Sequence, residues 1–160
     1  GHSIRQIYAN SSGAQASPTF SRNGEKIAFV SNKDGSPRIY VMDIDAKTLR
    51  DRSVKPKLLT TINRENTSPS WSPDGRYLAY SSKTQGVRQI WLYDFQAGKE
   101  EQLTVGRDNK ENPTWSANSK HIVFDAGLEE EHALYIIDIQ QRKPSKITKG
   151  RKNYRFPSWG

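Results

Sequence analysis

Short runs in which apolar and polar positions alternate recur along the chain: "IYVMDID" from Ile39, "YLAYSS" from Tyr77, "IWLYDF" from Ile90 and "IVFDA" from Ile122. They are rich in Ile, Val, Tyr and Phe and follow a period of two, which predicts strands rather than helices. Between them stand "RNGE", "PDGR" and "ANSK", with Asn, Asp or Gly where a hairpin needs positive φ or a side-chain-capped turn, while "KDG" and "TQG" mark the next bends.

The pattern repeats at longer range. Pro18, Pro69, Pro113 and Pro157 are each followed two places on by an aromatic residue, Phe20, Trp71, Trp115 and Trp159. Nine places after the first three prolines stand Ile27, Leu78 and Ile122; at twenty-two stand Tyr40, Trp91 and Tyr135, and three further on Asp43, Asp94 and Asp138. Thr60, Thr104 and Thr148 close "KLLT", "EQLT" and "SKIT", each nine places before the next proline. A strand-rich repeat of this length is the signature of propeller blades. Each unit reads as four antiparallel strands: a short inner one at "PxW", then "LAYSS", "IWLYDF" and an outer one at "EEQLT". The recurring rings are expected to fill the wedge between neighbouring blades rather than to stack on a ligand. The predicted fold is therefore an all-β propeller fragment of three four-stranded antiparallel blades, with a leading outer strand and a trailing inner strand.

On this reading residues 1–3 are a tag remnant and 4–16 an outer strand with its loop. The blades occupy 17–67, 68–111 and 112–155, and 156–160 begin the next inner strand. The first repeat carries Phe20 in place of Trp and an insertion over 46–58, expected in a loop at the blade edge. The third has "SANSK" for "SPDGR", from which a looser hairpin is expected. Propellers close with about four to eight blades, so three imply either a longer protein or a second copy that completes the ring as a homodimer.

Composition narrows the chemistry. There is no cysteine, which excludes a disulfide framework, a thiolate nucleophile and Cys-ligated zinc. No apolar run is long enough to span a bilayer as a helix, so direct membrane insertion is not expected. Motifs for a nucleophile elbow, a zinc protease, a phosphate loop or an EF-hand are all missing. His121 is read in a second strand and His132 in the loop that follows, neither as a metal ligand, and "EEEH" over 129–132 as a solvated loop. The Asp series is assigned to strand-end hydrogen bonds. No catalytic residue, metal or cofactor is expected.

The formal charge of +8 favours acidic partners. The acid-free stretch from Arg142 to Arg155 lacks the interleaved exposed aromatics that a nucleic-acid groove requires, so no nucleic acid is expected. In a propeller the segments leading from one outer strand to the next inner strand converge on one face around the channel. Here they are "NSSGAQAS", "INRENTS", "GRDNKEN" and "GRKNYRF".

"SPSWSPDGRYLAYSS" followed by "QIWLYDF" and "EQLT" resembles the repeat of the TolB-type β-propeller family, shared by the periplasmic Tol–Pal component and by propellers of prolyl-oligopeptidase-like and tricorn-like peptidases. The close on "FPSW" is similar to the Tol–Pal branch. That resemblance implies a six-bladed ring with a further N-terminal α/β domain, a periplasmic location and a non-catalytic scaffold. Its partners would be the peptidoglycan-associated lipoprotein and other Tol proteins. Carried over by distance before each proline, the partner-binding role falls on Glu65, Asn66, Thr67 and Ser68, on Asn109, Lys110, Glu111 and Asn112, and on Asn153, Tyr154, Arg155 and Phe156. Arg107, Lys110, Arg151, Lys152 and Arg155 would suit the carboxylates that the family's partner presents. The alternative is the substrate-gating propeller of a peptidase.

Overall fold

The computed structural model describes residues 15–45, 50–51, 55–128 and 130–148. The strands expected at "IRQIYA" and "RFPSW" lie outside these residues. Twelve strands are present among those described: β1 Gln15–Phe20, β2 Lys26–Ser31, β3 Arg38–Asp43, β4 Lys57–Leu58, β5 Asn66–Trp71, β6 Tyr77–Thr84, β7 Val87–Asp94, β8 Lys99–Gln102, β9 Asn109–Trp115, β10 His121–Leu128, β11 Glu131–Asp138 and β12 Pro144–Lys146. They form three antiparallel four-stranded sheets in sequence order, β1 to β4, β5 to β8 and β9 to β12. These are the three blades.

The repeat spacings correspond to strand register. Each "PxW" aromatic faces the aliphatic seven places later across the first hairpin: Phe20 opposite Ile27, Trp71 opposite Leu78 and Trp115 opposite Ile122. The hairpin turns are closed by a serine hydroxyl that accepts the N–H five residues on, Ser21 from Lys26, Ser72 from Tyr77 and Ser116 from His121. The same hydroxyl donates to Asn23, Asp74 or Asn118. At the third strand, Tyr40, Trp91 and Tyr135 lie opposite Phe29, Tyr80 and Phe124. Stacked rings at 6.0 Å and 5.9 Å join the first and last of these pairs.

The recurring threonine finishes the sheet where the outer strand turns away. Thr60, Thr104 and Thr148 accept the N–H of Ile39, Ile90 and Leu134 at 3.0, 2.9 and 3.0 Å. Side-chain oxygen thus takes the place of a ladder carbonyl for a backbone donor that has left water. Asp94 and Asp138 hold the turn after the third strand, each accepting two successive backbone N–H groups.

Packing is between blades. One buried cluster joins Ala28, Val30 and Ile39 of the first blade to Trp71, Leu78, Tyr80 and Trp91 of the second. Another joins Ala79, Ile90 and Leu92 of the second to Trp115, Ile122, Phe124 and Ile137 of the third. Each tryptophan also donates its indole N–H to the inner strand of the preceding blade, Trp71 to Thr19 O at 3.1 Å and Trp115 to Ser70 O at 2.9 Å. Phe20, in the corresponding position of the first blade, is 55% exposed.

Three expectations need correction. "SANSK" forms as tight a turn as the others: Ser119 N–H donates to Ser116 O at 3.0 Å, and Ser119 adopts φ of 61° where the other two repeats use glycine. Its hydroxyl accepts Asp74 N–H of the neighbouring blade at 3.0 Å, a bond that glycine cannot make. His132 is not in a loop but in β11, buried, because β10 and β11 run on until Leu128 faces Glu131, which also puts Glu131 of "EEEH" in the strand. Gly127 allows this close approach, since a Cβ there would meet Glu131 O at 1.9 Å. The 46–58 insertion ends in structure rather than loop, Lys57–Leu58 being β4.

Thr104 is the sharpest test of the sheet-finishing role, since its buried hydroxyl also donates to Gln89 Oε1 at 2.8 Å. Thr104→Val, nearly isosteric, leaves Ile90 N–H without an acceptor and is expected to cost about 2 kcal/mol in urea unfolding. For Ser119, alanine keeps the left-handed strain but loses the interblade bond, an expected loss of about 1 kcal/mol; glycine relieves the strain as well and is expected to stay within about 0.5 kcal/mol of the parent.

Candidate functional site

The candidate face is built from the two segments that lead into β5 and β9, with the hairpin joining β6 to β7 between them. That hairpin turns on two residues, Gln85 at φ 51° and Gly86 at φ 84°, the conformation in which a two-residue turn follows the natural strand twist. Trp91 Nε1 pins it by donating to Thr84 Oγ1 at 2.8 Å. Lys83 N–H donates to Glu65 O at 2.9 Å, and Arg88 N–H to Asn109 Oδ1 at 3.0 Å, so one hairpin holds both segments.

The inner strands begin earlier than the prolines implied, and most of the candidates lie within them. Asn66 opens β5 and is fully buried; it donates to Asn63 O and accepts from Ser82 Oγ, which makes it a framework residue. Thr67 and Ser68 follow, half-buried. Ser68 and Asn112 precede their prolines at φ of 56° and 55°, as Ser17 does at 53°. Each marks a break in register against the next strand. The bulge turns these side chains toward each other across blades, Ser68 Oγ lying 3.2 Å from Asn112 Oδ1. Asn112 Nδ2 continues to Asp125 Oδ2 at 2.7 Å, and Asp125 Oδ1 stands 3.6 Å from His132 Nδ1.

Lys110 does not stand free on the surface. It is buried, its Nζ donates to Asp108 O at 2.8 Å, and burial lowers its pKa. Glu65 and Glu111 are the accessible charges, with side chains 40% and 29% exposed. Arg88 reaches both, Nε to Glu111 at 3.2 Å and Nη2 to Glu65 at 4.0 Å, and Lys83 Nζ stands 3.6 Å from Glu65. Asn109 opens β9, half-buried. Asn153, Tyr154, Arg155 and Phe156 lie outside the described residues, as do Arg151 and Lys152. Arg107 is exposed.

Sequence reasoning missed Lys83 and Arg88, which belong to a hairpin rather than to the lead-in segments, and two apolar side chains of those segments. Ile62 is 58% and Val105 79% exposed. The first lead-in is fixed by Glu100: one carboxylate oxygen accepts Thr61 N–H, Thr61 Oγ–H and Ile62 N–H, while the other accepts Tyr80 O–H at 2.9 Å. Burial, followed by the Glu100 charge, raises the Tyr80 pKa, so that phenol stays a donor. Among the described residues, no group of three or more His, Cys, Asp or Glu could hold a metal ion, and no helix is long and apolar enough to cross a membrane. The face is a fixed, polar surface with two apolar projections, an arrangement suited to holding a partner.

Comparison with known proteins agrees with the architecture. The family model described as TolB beta propeller domain matches residues 1–160. A Protein TolB homolog from Protochlamydia amoebophila is 44% identical over 107 residues, covering 67% of this chain and 23% of the relative. A Tol-Pal system protein TolB from Desulfosudis oleivorans is 36% identical over 67 residues, 42% of this chain and 14% of the relative. The chain thus spans less than a quarter of these relatives. Among solved structures, TolB from Acinetobacter baumannii aligns with a TM-score of 0.76 at 23% identity, over 94% of this chain and 36% of that one. A puromycin hydrolase aligns with a TM-score of 0.72 at 15% identity, over 92% and 24%. At such identities the likeness is one of fold alone. With the family model spanning the repeat from end to end and three blades in sequence order, the chain belongs to the family of TolB β-propeller domains.

Proposed function

We propose that this chain is the propeller part of a Tol–Pal scaffold protein: non-catalytic, periplasmic, and receiving the peptidoglycan-associated lipoprotein on the face formed by residues 61–68 and 105–112. The observation that carries this is the joining of two segments from different blades into one surface, with Ser68 and Asn112 in contact and Glu65 and Glu111 on a common arginine. Relatives that share sequence rather than fold alone support the Tol–Pal reading over the peptidase one. The segment Asn153 to Phe156 is assigned to the same face by the repeat. Within the face the roles differ: Asn66 and Lys110 support it from below, while Glu65, Thr67, Glu111, Ile62 and Val105 meet the partner. Apolar side chains exposed on a polar surface are the natural anchors of such a contact.

Calorimetric titration with the periplasmic domain of the peptidoglycan-associated lipoprotein from the same organism tests the reading. Binding that weakens as salt rises is expected; no binding by this chain or by the longer protein containing it would overturn it. Replacing both Ile62 and Val105 by serine is expected to weaken binding at least about tenfold. Because both side chains are solvent-exposed, the melting temperature should move by no more than about 2 °C.

A further inference from the structure

We infer that Arg88 is the positioning residue of this face: it sets the separation of the Glu65 and Glu111 carboxylates, so that a partner crossing from the second blade to the third meets them as a fixed pair of acceptors. This rests on the reading of the face as a protein-binding surface, and gives that partner a chemistry, since two restrained carboxylates call for N–H donors on the segment that crosses them.

Four observations carry it. Arg88 sits two residues before Ile90, whose N–H is taken by Thr104. Counting back from Ile39 and Leu134, which make the same bond in the other blades, the corresponding residues are Pro37 and His132. A guanidinium at this place is therefore particular to the second blade, the one with a described neighbour on each side. Second, its backbone and side chain reach both lead-ins: N–H to Asn109 Oδ1, Nε to Glu111 and Nη2 to Glu65. A planar fork spans two carboxylates where an ammonium is a single point, so lysine is no substitute. Third, Glu65 and Glu111 carry like charge on neighbouring strands and would repel without a cation between them. Fourth, the arrangement is poor as a device for stability. Its ion pairs are part-exposed, a setting in which such pairs contribute little. Nη1 is shut off from solvent and makes no hydrogen bond among the described residues, where a guanidinium placed for stability alone would have its donors matched.

The test uses the full 160-residue chain and the lipoprotein periplasmic domain, with Arg88→Ala, Arg88→Lys, the pair Glu65→Gln and Glu111→Gln, and the triple variant. Both arginine variants should weaken binding about tenfold, lysine failing to rescue, with melting temperatures close to the parent. Adding Arg88→Ala to the glutamine pair should change nothing further, because the arginine acts through those carboxylates. Lysine binding as well as arginine, or additivity of the arginine and glutamine changes, would overturn the inference. Hydrogen exchange without partner separates it from the functional reading: Arg88→Ala should speed exchange over residues 62–66 and 106–110. Faster exchange there in a protein that does not bind the lipoprotein would leave the positioning role standing and overturn the functional reading; unchanged exchange would overturn the positioning role whether or not the partner binds.

Discussion

A four-stranded blade with apolar side chains on both faces has nowhere to bury them except against another blade, and this constraint orders everything else in the molecule. The two buried clusters lie between sheets, and no blade has a core of its own. The fixed aromatic after each inner-strand proline is the wedge residue, and in Trp71 and Trp115 it carries a polar N–H into the seam that must find an acceptor there. The preceding inner strand supplies one, at Thr19 O and Ser70 O. Apolar packing brings the blades together; the indole bond fixes the rotation of one on the next.

The candidate face follows from that seam. Once the blades are set at a fixed angle, the lead-in segments arrive beside the hairpin of the second blade, and the left-handed residues before Pro69 and Pro113 turn Ser68 and Asn112 into the space between. A residue before proline is normally kept extended. Asn, and to a lesser degree Ser, tolerates the left-handed region by hydrogen-bonding locally, and both side chains here do form such bonds.

Much of the fold was legible because it is written three times. The spacing from Trp71 to Leu78 is a strand pairing, and Thr104 recurs because each blade needs an acceptor at the same backbone N–H. What could not be read was whatever departs from the repeat. Ser119 looked like the loss of a turn glycine, since the compensating donor, Asp74 N–H, is 45 residues away on another blade. Lys110 looked like a surface cation because its burial depends on the fold of Asp108 and the neighbouring strands around it. Arg88 carried no local signal, as its acidic partners lie 23 residues on either side and meet only across a seam.

The indole bonds all point the same way, from a later blade to the one before it. During synthesis the accepting strand is therefore made first, and each tryptophan reaches a surface that already exists. Trp115 leaves the ribosome 44 residues after Trp71 and 45 after its own acceptor, Ser70. Folding can then advance like a zipper from the amino end, one blade docking at a time. Within the described seams, no blade has to wait for a later one to supply the carbonyl that its indole needs.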